Sequence, residues 1–322
     1  MSSASVVIPV FNGAGVVGRC VASVAAQRLR PAEVIVVDDG STDGSAAVAR
    51  DALRASGIPF TVVEHGRNRG VAAARNTGLA ACTGEWVWFV DSDDTADPRL
   101  LVALLAAAQS ARADVAACRT RRVDEAGAVL GVEEGPWPDP WVPGPVAARW
   151  LLSNRMRAYV CTKLFRRELL PERWFPDRLA HEDFRPVLGV LLAAGRVALV
   201  DEPLYDYTLR SGSLSASFGE NVFGLLEVAD EVGADLRAAG LAEPWADDYL
   251  TYRYLNALLP LANTALRAGP SPLGDHAVRL ARGRTAWGDV VRLGLRGQWR
   301  LATAAGVLKA APRAYSAVLA RR

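Results

Sequence analysis

Three carboxylates, Asp91, Asp93 and Asp94, fall within four positions at the end of the run Glu85-Trp-Val-Trp-Phe-Val-Asp-Ser-Asp-Asp94. The apolar, aromatic part has the composition of a strand covered on both faces, which would deliver the acids to its C-terminal edge. Negative charge that crowded repels itself unless a cation joins it, and carboxylate oxygens suit a hard divalent ion. The same acids also read as a solvated turn capping the next helix, since Asp97-Pro98 looks like a helix start.

Other polar clusters share that pattern. Asp38 and Asp39 close the apolar run Val34-Ile-Val-Val37 and precede Gly40-Ser-Thr-Asp-Gly44. Asp43 or Ser41 would cap the following helix, while Asp38 and Asp39 sit where the strand emerges and can accept from an imide or a ribose hydroxyl. Asn68-Arg-Gly-Val-Ala-Ala-Ala-Arg-Asn-Thr-Gly78 puts Arg75 and Asn76 on a helix of small residues, where the arginine is expected to point inward. Gly13-Ala-Gly-Val-Val-Gly18 matches the dinucleotide fingerprint and has Asp38 and Asp39 about 20 residues on. Against that reading, Pro9, Phe11 and Asn12 separate the strand core from the first glycine, where the turn should begin at once.

The elements that must position these residues alternate as βαβ units: strands over 5–10, 33–39, 60–64 and 85–91, helices from 16 on, 44–56 and 70–81. The expected fold class is α/β, a Rossmann-like and mostly parallel sheet with helices on both faces and ligands at its carboxyl edge. Residues 1–217 are expected to form one domain, 1–115 its regular βαβ half and 116–217 a half of looser pattern. Residues 218–322, rich in Ala and Leu, form a helical, basic C-terminal region. Gly135 to Pro145 holds five prolines and reads as a connector whose Trp137 and Trp141 either stack on a ligand or pack.

A chain of 322 residues, 51% hydrophobic, can bury a sizeable core. No apolar run approaches membrane-spanning length, and the first strand-like run begins at Ser5 with no basic or apolar segment before it, so no secretory signal is expected. The widely spaced Cys20, Cys82, Cys118 and Cys161 read as free thiols, pointing to the cytoplasm. Residues 279–322 hold ten Arg or Lys against Asp289 alone, a net +9; with +2 for the whole chain, the first 278 residues carry −7. Such a tail expects an anionic partner, a membrane surface or nucleic acid. Val291, Leu295 and Trp299 recur beside Arg292, Arg296 and Arg300, which reads as an amphipathic basic helix for anionic lipid or as a helical cap with solvated arginines.

Together, Ile8-Pro-Val-Phe-Asn12, Val37-Asp-Asp-Gly-Ser-Thr-Asp43, Asn68-x-Gly70 with Ala74-Arg-Asn-x-Gly78, and Phe89-Val-Asp-Ser-Asp-Asp94 resemble the family 2 inverting glycosyltransferases of GT-A fold. The resemblance implies a nucleotide-sugar donor, a UDP-sugar, a hydroxyl acceptor and Mg²⁺ or Mn²⁺; no nucleic acid is expected. It implies that Pro9, Phe11, Asn12 and Asp39 hold the base and ribose, with Asp38, Asn68 and Arg75 supporting them. Asp91 and Asp93 become the DxD pair at metal and diphosphate, with Ser92 between them on the donor, and Asp94 is either support or cap. Cys161 to Arg167 and Phe175 to Phe184 resemble the family's second half. There the resemblance implies that His181-Glu-Asp-Phe184 supplies the catalytic base, Asp183 with Glu182 as its neighbour or substitute; both acids also suit a helix N-terminus. His181 either approaches the diphosphate or is a structural donor. Pro203 to Ser215 resembles the closing strand and loop, but Thr208 stands where relatives often carry Arg, which leaves Arg210 as the cation for the diphosphate. An inactive nucleotide-sugar-binding scaffold and a nucleotidyltransferase are the alternatives; the uncharged Pro9 to Asn12 segment lacks the basic phosphate loop of the latter.

Overall fold

The computed structural model describes residues 3–176, 182–210 and 218–319. The chain forms two compact units, Met1–Ala148 with Met156–Ser211, and Arg149–Arg155 with Gly212–Arg322.

The first unit runs β1 (Ala4–Val10), α1 (Val17–Ala25), β2 (Glu33–Asp38), α2 (Ser45–Ser56), β3 (Phe60–Glu64), α3 (Val71–Ala81), β4 (Trp86–Phe89), β5 (Thr95–Ala96), α4 (Leu100–Ala111), β6 (Val115–Val123), β7 (Val129–Val132), β8 (Trp141–Pro143), α5 (Gly144–Leu152, whose end belongs to the second unit), β9 (Lys163–Arg166), α6 (Phe184–Ala193) and β10 (Arg196–Thr208). One sheet carries these strands in the order β3-β2-β1-β4-β9-β6-β10-β5, with β7 on β6 and β8 on β10. The first four are parallel to one another, as the alternation predicts. β9 enters antiparallel between β4 and β6, while β6 and β10 are parallel. The proline-rich connector ends in a short strand, and its Trp137 is buried.

β1, β2 and β4 are buried almost throughout because helices cover both faces, which is why their sequences are continuous Val, Ile, Trp and Phe rather than alternating. Pro9 is tolerated in the central strand β1 because the ladder to β4 ends at Val7 paired with Phe89. Beyond that point β1 pairs only with β2 and needs no donor on its other side. The chain builds outward from β1 to β2 and β3, then returns to place β4 on the opposite flank. The carboxyl ends of β1 and β4 therefore flank a topological switch point, where an open α/β sheet offers a crevice.

The second unit contains α7 (Gly224–Ala238), α8 (Ala246–Arg253), α9 (Leu259–Arg267), α10 (Pro272–Arg284), α11 (Trp287–Leu295), α12 (Trp299–Ala310) and α13 (Pro312–Leu319). The single basic helix expected across residues 291–300 is instead a hairpin. Gly297 takes φ +75°, a left-handed conformation that ends α11 and lets α12 fold back along it. Arg292 and Arg296 are not merely solvated, since both pair with Asp247 of α8. No described helix is long and apolar enough to cross a membrane. All four cysteines are buried and free.

Candidate functional site

The loops after β1, β2, β3 and β4 meet at the switch point. After β1, Asn12 takes φ +47°; its amide donates to Ser41 Oγ (2.9 Å) and its Oδ1 accepts the Thr42 amide (3.0 Å). The Gly13 amide donates to Ser45 Oγ (2.8 Å), the Ala14 amide to Asp43 Oδ2 (2.9 Å), and the Val16 and Val17 amides to the Gly13 carbonyl. The turn that matches a dinucleotide fingerprint thus has its amides occupied by the neighbouring loop. A pyrophosphate cradle needs those amides free, so the glycine spacing is incidental. Asp43 and Ser41 consequently brace the β1 loop, and Phe11 stands half exposed above it.

Asp38 is buried and accepts the Ser41 amide at 2.8 Å, closing its own turn. Asp39 is buried too, and accepts the Arg69 amide (3.0 Å) and the Gly70 amide (2.7 Å) ahead of α3. His65 at the end of β3 donates from Nδ1 to Asp39 (2.6 Å), and its Nε2 shares a hydrogen bond with the Thr77 hydroxyl (3.0 Å). Asp39 thereby ties three elements together, a role the sequence does not announce because His65 is a lone histidine there. Asn68 Oδ1 accepts the Gly70 amide at 2.9 Å and shapes the same corner. Gly40, at φ +80°, lets the two loops touch: a Cβ there would sit 2.7 Å from the Asn68 nitrogen.

The sequence groups Arg75 with Asp38; the structure instead aims it at the carboxylates of the other flank. Helix α3 rides close to the sheet because its inner face is Ala72, Ala73, Ala74 and Gly78, and a Cβ at Gly78 would collide with Val7 of β1. From that position the buried guanidinium spans Asp91 Oδ1 (2.7 Å), Glu182 Oε1 (2.8 Å) and Asp183 Oδ1 (2.5 Å). Phe175 lies 5.3 Å beneath it, and Asn76 clamps both the amide and the carbonyl of Phe175 (2.9 and 2.8 Å). Burial pushes the Asp183 carboxyl up to about 7; Arg75 pulls against that shift, and Glu182 and Asp91 add to it. Glu182 and Asp183 precede α6, and the Asp183 side chain does not cap that helix; both acids pair with Arg75. His181 lies outside the described residues, as does the Ser-Gly-Ser segment beyond Arg210.

At the end of β4, Asp94 is not the cap of α4: Asp97 bonds the Arg99 amide at that helix start (2.9 Å). Asp94 is buried, with Oδ1 on the Thr208 amide (2.8 Å) and Oδ2 on the Tyr205 hydroxyl (2.9 Å), which in turn accepts the Asp91 amide (3.2 Å). Thr208, where the family pattern suggests Arg, thus contributes its backbone, and Tyr205 fixes the acid loop to β10. Arg210 approaches Asp93 at 4.0 Å. Burial and the neighbouring carboxylates push Asp93 up and Asp94 well up from the usual carboxylate range.

A cation fits this arrangement because the local acids outnumber their positive partners. One ligand atom each of Asp91, Asp94 and Cys161 lies within 4.8 Å of the others. Both Asp94 oxygens are already engaged, and burial holds the Cys161 thiol well above its ordinary pKa, so it stays protonated. The donors suited to a hard ion are therefore Asp91 and the half-exposed Asp93, with Ser92 between them.

Residues 5–174 match the profile of glycosyl transferase family 2. The chain belongs to that family, and it is a glycosyltransferase. A Streptococcus pneumoniae relative, "Glycosyltransferase GlyG", is 28% identical over 219 residues, 65% of this chain and 72% of that one. Two further relatives, at 29% identity, are matched over 62% of their own length. Among solved structures, residues 1–349 of S. aureus TarS in complex with UDP-GlcNAc superpose with a TM-score of 0.73 at 22% identity, covering 98% of this chain and 89% of that one. A mannosyltransferase of Pyrobaculum calidifontis, PcManGT, in complex with GDP-Man and Mn²⁺, gives 0.59 at 18% identity over 99% and 86%. These superpositions establish the GT-A fold.

Proposed function

We propose that this glycosyltransferase is metal-dependent and inverting, and that it moves a sugar from a nucleotide diphosphate, a UDP-sugar, to a hydroxyl acceptor in polysaccharide, cell-wall, glycolipid or metabolite biosynthesis. The observation that carries the reading is the shared guanidinium of Arg75, which holds Asp91 of the acid loop and Asp183 before α6 on one side chain. One residue thereby fixes the diphosphate end and the acceptor end of an in-line displacement relative to each other. The UDP-GlcNAc complex of TarS and the Mn²⁺ complex of PcManGT, proteins of the same fold, support the donor class and the ion.

The base and ribose lie over the loops of Pro9, Phe11, Asn12, Asp38, Asp39 and Asn68, with exposed Phe11 offering a ring to stack. Asp183 accepts the proton of the acceptor hydroxyl as that oxygen forms its bond to the anomeric carbon from the face opposite the diphosphate. The bond between the anomeric carbon and the diphosphate oxygen breaks, its electron pair leaves with the diphosphate, and the configuration inverts. A carboxyl near 7 is suited to this task, because close to neutrality it is part ionised and basic enough to take the proton. Glu182 shares the guanidinium and keeps Asp183 oriented. Asp91 and Asp93 would hold Mg²⁺ or Mn²⁺, with Arg210 adding positive charge beside them. When bound, the ion neutralises the charge that develops on the departing diphosphate.

A thermal-shift panel of nucleotide-sugars with and without Mn²⁺ tests the donor class. A donor at 100 times its dissociation constant adds about 2.7 kcal/mol of stability. The expected outcome is a shift for UDP-sugars that needs the ion; equal shifts without it, or none across the panel, contradict the reading.

A further inference from the structure

The second unit carries an apolar face that its own fold leaves uncovered. Trp287, Val291 and Leu295 follow at four-residue spacing along α11, and Trp299 opens α12 at the tip of the hairpin. All four are exposed, Leu295 at 81% and Trp299 at 68%. The Trp299 ring lies over Gly294, where an added Cβ would come within 3.2 Å of it, so the stripe continues unbroken from one helix to the next. Behind it runs a groove of about 520 Å³ lined by Val290, Val291, Leu295, Trp299 and Val307. Indole rings, apolar with one N–H donor, suit the headgroup level of a bilayer.

Charge selects the occupant. Arg300, beside Trp299, makes no ion pair among the described residues, while Arg292 and Arg296 share the single carboxylate of Asp247 and leave a net positive charge next to the stripe. The last 44 residues carry +9 in all. A second copy docking through the same face would bring that charge against its like, whereas an anionic surface complements it. We propose that the α11–α12 hairpin docks on an anionic lipid bilayer, with Leu295 and Trp299 entering among the headgroups and Arg292, Arg296 and Arg300 meeting the lipid charge. The enzyme would then work where lipid-borne acceptors are concentrated.

Flotation of the full chain with vesicles tests this, using pure phosphatidylcholine against phosphatidylcholine with about one-third phosphatidylglycerol. The expected result is association with the anionic vesicles alone. Leu295→Ser with Trp299→Ser lowers the bound fraction at least about tenfold, and Arg300→Glu weakens it on its own, neither changing the thermal transition because the replaced groups are exposed. Equal binding to both vesicle types, no flotation with either, or a dimer in ultracentrifugation that Leu295→Ser dissociates would overturn the proposal.

Discussion

Replacing Arg75 by Met keeps most of the apolar stem above Phe175 and removes the guanidinium that Asp91, Glu182 and Asp183 share. Breaking a buried pair by deleting one partner costs about 3–5 kcal/mol. The lower end applies here, since the Asp91 and Asp183 side chains retain 27% and 23% of their exposure and can draw water or a proton. A loss of about 3 kcal/mol corresponds to roughly 6–12 °C in the midpoint for a unit of this size. The sign with pH follows from the carboxylates. Arg75 is what holds the Asp183 carboxyl down against burial, so without it that carboxyl rises further above about 7; above that value the variant keeps a proton that wild type has released, and its stability falls more steeply as pH rises. The deficit relative to wild type is therefore greatest near pH 8 and shrinks toward pH 5, as read by thermal or urea unfolding at both pH values. A deficit that is independent of pH, or below about 1 kcal/mol, would refute the shared-cation account and leave only lost packing.

Asp93→Ala should abolish metal-dependent turnover and leave the fold intact, because Asp93 keeps 35% of its side-chain exposure and its partner Arg210 stands off at 4.0 Å; a thermal midpoint lowered together with activity would instead make it structural. Tyr205→Phe removes the hydroxyl between the Asp91 amide and Asp94, leaving a buried carboxylate short of a donor, at about 1–3 kcal/mol; an unchanged unfolding midpoint would show that the bridge is dispensable. Because burial raises Asp183 to about 7 and only its ionised form can take a proton, kcat/KM should rise with pH through an acid limb near 7; a profile flat from pH 5 to 8 would place the base elsewhere.

The parallel half of the sheet is legible because β1, β2 and β4 are buried on both faces and the helices between the strands are short and evenly spaced. The strand Trp86–Phe89 and its acids show this most plainly. The antiparallel β9 was not legible, since Lys163-Leu-Phe-Arg166 is four residues long and owes its place to β4 and β6 on either side. The positions of the acids along the chain can be read from the sequence, but their partners cannot. Arg75 reaches residues more than 100 positions away, and Asp94 finds its donors on β10. The helix predicted through residues 291–300 ignored Gly297, whose left-handed turn makes the hairpin and brings Trp299 over Gly294. Its glycine was the available signal, placed just past the end of a periodic apolar run.

The most direct test of sugar transfer with Asp183 as base is release of the nucleotide diphosphate by wild type and Asp183→Asn, with the donor found in the thermal-shift panel and the same ion present. The account predicts a fall in kcat of at least about 100-fold, with the donor-induced thermal shift unchanged because Asp183 meets the acceptor and not the nucleotide. Turnover above about a hundredth of wild type in Asp183→Asn, or loss of donor binding in step with activity, would contradict it.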